Sequence, residues 1–484
     1  MTLVLAGGRI LGTGAAVDIV VERGAIVAIV PAGTAVTDAA DRVDLDGRVV
    51  LPGLWDNHVH FTQWALTSRR LDLSAAASAD EVVALVGARI AAGATEVVGF
   101  GFRDGLWPEP PTAAQLDVVA ASVPVILVSG DLHSVWLDSA ALALHGFAGH
   151  PTGLLREDDA FAVVRALDDV ADDVLDGWAR EAATAAARRG VVGIVDLEMT
   201  WNRDVWLRRI RGGLTGLRVE FGVYRQHLAD AIAAGMRTGD VVPGTDGLLR
   251  VGPFKVITDG SLNTRTAFCL DPYPGLADAE AFGLLTVQPD ELVPLLETAR
   301  DGGLRPAVHA IGDHANSLAL DAFASVGVGG SVEHAQLLTE ADVARFAALG
   351  VTASVQPEHA MDDRDVAERY WSGRTDRAFM LRSLLDSGAV LALGSDAPVA
   401  PLDPWVSIAA AVGRTRDGRE PWHPEQSITV AEAVAASTRS TVEVGQPADL
   451  VIVETDPTTA SVDALRTLPV AATLLAGRFT HRAL

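Results

Sequence analysis

Short apolar runs alternate with stretches whose hydrophobic positions recur at helical spacing along most of this chain. Continuous runs of ~4–8 residues between helical patterns are the signature of parallel strands joined by helical crossovers. The runs fall at Leu54 to His60, Val191 to Glu198, Leu217 to Tyr224, Phe254 to Asp259, Arg305 to His309, Val332 to Gln336, Val351 to Val355 and Val390 to Asp396. Eight of them predict an α/β fold, a closed (β/α)8 TIM barrel, with functional side chains at the C-terminal ends of the strands.

The two ends of the chain read differently. Leu3 to Ala6, Ala15 to Glu22, Ala25 to Val30 and Val43 to Val50 are short strand patterns, with Asp46-Gly47 placed as a hairpin turn. Gly445 to Glu454 and Val470 to Leu475 repeat this character near the C-terminus. Each segment alone is too short to bury a face, so both ends are expected to complete one small composite β-sandwich. The expected organisation is therefore residues 1–52 plus 441–484 for the small β unit and 53–440 for the barrel. Residues 62–185 break the simple alternation. They carry two more strand patterns, Glu96 to Phe102 and Val123 to Ser129, and a Pro-rich turn from Trp107 to Pro111, and are expected to form an insertion after the first barrel strand. No repeat of 20–50 residues is evident.

Composition narrows the class. Of 484 residues, 49% are hydrophobic and 21% charged, the balance of a packed globular protein. The formal charge of −25 disfavours a polyanionic partner, and no local Lys/Arg cluster offsets it, so nucleic acid is not expected. No apolar run reaches the ~18 residues of a membrane span, and the start lacks a basic region ahead of its apolar residues. A cytoplasmic protein acting on a small molecule is expected, with no membrane partner and with a homodimer as the base-rate assembly. Cys269 is the one cysteine, expected as a small buried hydrophobe.

One compositional asymmetry carries chemistry. Of 38 basic side chains Lys255 is the single lysine. An amine can lose its proton and react, whereas a guanidinium stays charged. Lys255 sits in Gly252-Pro-Phe-Lys-Val-Ile-Thr-Asp-Gly260, at a predicted strand end. In Leu51-Pro-Gly-Leu-Trp-Asp-Asn-His-Val-His60, His58 and His60 are two apart, so both imidazoles can face the barrel mouth and share one cation. His309, His334 and Asp396 follow three further strands. Any one of these is ordinary; four histidines, one lysine and one aspartate on one rim are hard to explain by packing.

The order His58-x-His60, Lys255, His309, His334, Asp396 resembles the amidohydrolase superfamily. The surrounding text is similar to its family-3 branch, which includes N-substituted formamide deformylases: Lys255-Val-Ile-Thr-Asp-Gly-Ser-Leu-Asn-Thr-Arg-Thr-Ala267, His309-Ala-Ile-Gly-Asp313, Ser354-Val-Gln-Pro357 and Gly445-Gln-Pro-Ala-Asp-Leu450. His133-Ser-Val-Trp-Leu-Asp-Ser-Ala-Ala-Leu142 resembles that branch's insertion, with Asp138 where Asn is more usual, and His314 stands where Arg is common.

The resemblance implies a lysine carboxylated by CO2 whose carbamate bridges two divalent metals. His58, His60 and Asp396 would hold the first and His309 and His334 the second, each shared with Lys255. Carbamate formation needs the neutral amine, about one part in 2,500 at pH 7 for an unperturbed lysine, and burial or nearby cations would raise that share. Mixed nitrogen and oxygen ligands suit zinc, with manganese, iron, cobalt and nickel open by residue type. The implied reaction is hydrolysis of an amide C–N bond of an N-acyl or N-formyl amine by a metal-bridging hydroxide, with Asp396 as general base and then acid. His133 is the candidate for steadying the substrate carbonyl. Gln356 and His359 are candidate pocket residues, and Phe61, Trp64, Trp107 and Trp371 a candidate apolar wall. Hydrolysis of an ester, lactone or cyclic amide and deamination remain alternatives on the same scaffold, as does a non-catalytic binding protein.

Overall fold

Eight parallel strands curl into a barrel in a computed structural model that describes residues 2–35, 40–167 and 170–484. They are β1 (Leu54–Val59), β2 (Val191–Asp196), β3 (Arg218–Tyr224), β4 (Leu249–Ile257), β5 (Pro306–Ala310), β6 (Gly330–His334), β7 (Val351–Val355) and β8 (Leu391–Leu393). Each pairs in parallel with the next, so the order in space follows the order in sequence. The barrel closes between its first and last strands. Val59 bridges Ala397, the Asp396 amide donates to the His58 carbonyl at 2.7 Å, and the His60 amide donates to the Ala397 carbonyl at 2.8 Å. Gly394 permits this approach, because a Cβ there would lie 2.8 Å from the His58 nitrogen. Closure thus brings Asp396, from the far end of the barrel's sequence, against His58 and His60.

The strands read as nearly continuous apolar runs because helices cover their outer face while their inner face is enclosed by the barrel. Every residue of β1, β2 and β5 is buried. Helix Pro289–Asp301 precedes β5, Asp313–Val326 precedes β6 and Glu340–Leu349 precedes β7. Leu292, Leu296, Leu320, Phe323 and Phe346 from these helices join the main hydrophobic core. Apart from β4, which begins earlier, at Leu249, the barrel strands start within two residues of the apolar runs in the sequence.

The chain ends share one mixed sheet. Its path runs through 478–482, 470–475, 450–453, 49–52, 2–10, 16–22 and 25–31, with 40–44 added beside 2–10. Leu450–Val453 pairs antiparallel with Val49–Pro52, joining the two ends directly. The expected hairpin at Asp46-Gly47 is not formed. Residues 40–44 and 49–52 both run parallel to strand 2–10, as one interrupted strand along the same neighbour. The intervening residues keep that neighbour's hydrogen bonds, Leu45 to Ala6 and Gly47 to Gly7, so the left-handed backbone at Asp46 and Gly47 makes a jog and does not reverse the chain.

Between β1 and β2 lies a further sheet of five strands, in the order 154–156, 134–137, 125–129, 97–102 and 71–72. Two hydrophobic clusters cover it, one centred on Phe102, Leu127 and Trp136, the other on Val128, Val135 and Val163. The strands at 71–72, 134–137 and 154–156 have two to four residues and carry no readable period. Helix Asp172–Ala187 then leads into β2 and packs on helix Phe61–Thr67, returning the chain to the barrel. Among the described residues no helix is long and apolar enough to cross a membrane.

Candidate metal centre

The C-terminal ends of the strands open into a cavity of about 670 Å³ whose floor carries His58, His60, Lys255, His309, His334 and Asp396. Two of these groups reach the floor through unusual backbone: His334 has φ +77° and Asp396 φ +57°. Left-handed backbone is costly for residues with a side chain and clusters at functional sites. Asp396 Oδ1 lies 3.3 Å from both His58 Nε2 and His60 Nε2. The His334 ring stands 5.0 Å from His58 and 4.5 Å from His309, centre to centre. His58, His334 and Asp396 each offer one ligand atom, and these lie within 4.8 Å of one another.

The floor carries buried polar atoms that the protein itself does not satisfy. Lys255 is 2% exposed and its Nζ has no hydrogen-bond partner among the described residues. Among the described residues, His60 Nδ1 and His334 Nδ1 are likewise buried without one. Buried polar groups are normally paired, so such a cluster marks groups arranged for an occupant. Imidazole nitrogens and a carboxylate are a donor set for a divalent metal. Protonation is also suitable. Burial, and then His309 beside it, hold His334 well below the usual histidine range, which keeps it neutral, the form a metal ligand needs. Burial lowers the amine pKa of Lys255 against the opposing charges of Glu333 and Asp396, raising the share of free amine. Burial alone would protonate Asp396, but the imidazoles of His58 and His60 hold its carboxyl well below the ordinary value.

Three carboxylates not expected from the sequence support this floor. Glu333 Oε2 lies 2.7 Å from His58 Nδ1, so Nδ1 carries the proton and Nε2 is free toward the cavity. Asp259 lies 3.1 Å from His309 Nδ1 and accepts the amides of Phe268, Ile311 and Gly312. Asp56 accepts the amides of His58 and Ser395, tying β1 to the end of β8, and burial pushes its carboxyl up to about 7. Glu333 precedes a ligand candidate by one residue and Asp259 follows Lys255 by four; that adjacency was the available clue. Glu333→Gln is expected to weaken divalent-metal affinity ~10–100-fold by loosening His58, measured by chelator competition. Unchanged affinity would remove Glu333 from this role.

The inserted sheet forms the outer wall. His133 lines the cavity, and its Nδ1 lies 2.8 Å from Glu157 Oε2. Burial works against its charge, but the Glu157 contact and the nearby Asp131 raise its pKa to about 9. It is therefore an imidazolium at neutral pH, with Nε2–H available to the cavity. His359 lies in the cavity too, its Nε2 3.9 Å from Asp396 Oδ2.

Other expected wall residues lie elsewhere. Gln356 is buried just before helix Pro357–Tyr370, and the cavity wall there is Gln336, which donates to Asp363 at 3.0 Å. Trp107 packs against Phe102 and Trp136 in the core of the inserted sheet. Phe61 packs on Trp206, Trp64 joins the barrel core, and Trp371 is fully buried in a separate cluster. These aromatics fill interior space. The cavity's apolar surface includes Leu132, Phe161, Val164, Met199, Ile257 and Val399. Asp138 caps helix Ser139–Leu144 through the amides of Ala140 and Ala141, which Asn does equally well, and His314 stacks on Phe268 at 4.6 Å. Cys269 is buried, its thiol pushed up to about 12.

Comparison with known proteins agrees with this arrangement. A family model described as "Amidohydrolase family" matches residues 41–481. The chain is 25% identical to the N-substituted formamide deformylase of Arthrobacter pascens, over 95% of this chain and 94% of that protein. It is 26% identical to the putative amidohydrolase YtcJ of Bacillus subtilis (strain 168), over 91% of this chain and 90% of that protein. Its fold is shared with an uncharacterised metal-dependent hydrolase from Pyrococcus horikoshii OT3, at a TM-score of 0.79 and 23% identity, over 96% of this chain and 99% of that one.

Proposed function

Since the chain belongs to the amidohydrolase family of metal-dependent hydrolases, we propose that it hydrolyses an amide C–N bond of a small N-acyl or N-formyl amine at a two-metal centre. The observation that carries this reading is the convergence of four imidazoles, Asp396 and the buried, unpartnered amine of Lys255 on one cavity floor. His58, His60 and Asp396 would hold one ion and His309 and His334 the other, with the carbamate of Lys255 shared between them. When bound, zinc or a similar ion supplies Lewis acidity toward the scissile carbonyl and lowers the pKa of water.

The remaining work falls to side chains of this chain. Asp396, ionised and facing the centre, takes the proton of the attacking water and returns it to the departing amine nitrogen. Loss of that nitrogen as a neutral amine is what makes C–N cleavage proceed. His133, held by Glu157, donates its Nε2–H to the carbonyl oxygen as negative charge develops there. Glu333 and Asp259 orient His58 and His309.

The test is a substrate screen on protein purified with its native metal and again after metal reconstitution. N-formyl, N-acetyl and longer N-acyl amines are assayed beside esters, lactones and cyclic amides. Turnover of the N-acyl amines with two metals per chain is expected. Turnover of esters or lactones alone would defeat the amide assignment, and one metal per chain would defeat the two-metal assignment.

A further inference from the structure

The helix that follows β7, Pro357–Tyr370, puts two neighbouring carboxylates to different uses. Asp362 is taken up in ion pairs: Arg103 donates to its Oδ2 at 2.9 Å and Arg416 to its Oδ1 at 2.7 Å. Arg103 also donates to the Val399 carbonyl at 3.1 Å, so this network fastens the insertion to the barrel. Asp363 instead lines the cavity. Among the described residues its one hydrogen-bond donor is Gln336 Nε2, 3.0 Å from Oδ2, and Oδ1 has none. A carboxylate has about four acceptor positions and no donor, so most of this group's capacity is open to what enters. Burial raises its carboxyl to about 6 against the opposing pull of His359 and Arg103, which leaves it ionised at neutral pH.

The order of the strands places Asp363 relative to the reaction. Barrel neighbours follow sequence order and the end of β1 meets the chain just past β8, so β4 and β8 stand on opposite sides. His133 is held over the β4 side. Ser261 Oγ, on the loop after β4, donates to Asp131 Oδ2 at 3.0 Å, and Thr266 Oγ1 on the same loop donates to Glu157 Oε1 at 3.0 Å. Asp396 follows β8, and its Oδ2 lies 3.9 Å from Nε2 of His359. His359 and Asp363 are four residues apart on one helix and share a face. An amide whose oxygen meets His133 and whose nitrogen meets Asp396 therefore turns that nitrogen toward Asp363.

Resting on the amide-hydrolase reading, we propose that Asp363 accepts a hydrogen bond from the N–H of the scissile amide. The substrates are then amides that keep a hydrogen on the departing nitrogen, and N,N-disubstituted amides are refused. The bond strengthens along the reaction. As Asp396 returns its proton, the nitrogen carries positive charge before the C–N bond breaks, its N–H becomes a stronger donor, and a carboxylate beside it gains. Gln336 is the positioning residue, since its Nε2 holds one oxygen of Asp363 and leaves the other to the substrate.

The experiment compares kcat and KM for N-butylformamide, N-butyl-N-methylformamide and butyl formate in the metal-loaded wild type, Asp363→Asn and Asp363→Ala. Metal content and unfolding temperature are measured on the same samples. In the wild type the secondary amide is expected to exceed its N-methyl analogue at least ~10²-fold in kcat/KM. Asp363→Asn keeps the size of the side chain, and with Gln336 on its oxygen it turns an NH2 toward the substrate's own donor. The ratio of secondary to N-methyl amide is expected to fall at least ~10-fold in both variants, mainly through kcat, and the ratio of secondary amide to ester to fall with it. Equal turnover of the two amides by the wild type would overturn the proposal without need of any variant. So would an unchanged ratio in Asp363→Asn with metal retained, because size alone would then explain the refusal. Either result leaves the amide reading standing, whereas turnover of butyl formate with neither amide would defeat that reading and this one together.

Discussion

Lys255→Ala is expected to fold, to lose bound metal and to fall at least ~10³-fold in kcat/KM, more than the ~10–100-fold that follows loss of an outer partner. Folding should survive because Nζ has no hydrogen bond to lose, so the substitution removes an unpartnered amine and strands no other group. Activity should not survive, because no other side chain near the floor can carry CO2. Lys255→Arg is the sharper control. It keeps a positive charge on a long stem but cannot form a carbamate, since a guanidinium does not deprotonate in a protein. Both variants are therefore expected to be inactive. Intact-mass measurement should find the mass of one added CO2 on the wild type, lost on acidification. Full activity in Lys255→Ala, or an unmodified amine in fully metallated wild type, would end the bridging role.

Asp396→Asn separates proton transfer from architecture. The backbone of Asp396 helps close the barrel through His58, and that hydrogen bond is indifferent to the side chain. The amide is isosteric but neither ionises nor accepts a proton at neutral pH. A loss of ~10²–10⁴-fold in kcat is expected from the missing acid–base group, with unfolding temperature little changed. Metal content must be measured on the same samples, because Oδ1 also faces His58 and His60. Metal retained with kcat near wild type would remove Asp396 from proton transfer.

The barrel was legible because its strands are buried on both faces and so stand out as apolar runs. The floor was legible because polar residues at the ends of such runs have one place to point. His58 and His60 share a strand end, and Lys255, His309, His334 and Asp396 follow in turn around the rim. Glu333 and Asp259 were hidden for a different reason: each touches a histidine on another strand, Glu333 across the barrel from His58 and Asp259 just past the strand beside His309, and closeness in sequence to a ligand candidate does not tell which histidine each one meets. The inserted sheet was half visible, since strands of two to four residues have no period to read. Trp107, Phe61, Trp64 and Trp371 show the limit of reasoning from residue type, because a large aromatic suits a pocket wall and an interior equally. Gln356 and Gln336 make the same point for polar residues; the former ends up buried beside a helix start and the latter on the cavity.

The sheet shared by the two ends of the chain also sets a timetable. Val49–Pro52 leaves the ribosome early, yet its antiparallel partner Leu450–Val453 is separated from it by about 400 residues. At ~5–20 residues per second, that hydrogen-bonding edge waits ~20–80 s for its partner. An open strand edge is a template for pairing with other chains. During synthesis, the region most exposed to mispairing is therefore this seam, and a nascent chain stalled before residue 450 holds a barrel whose supporting sheet is unfinished.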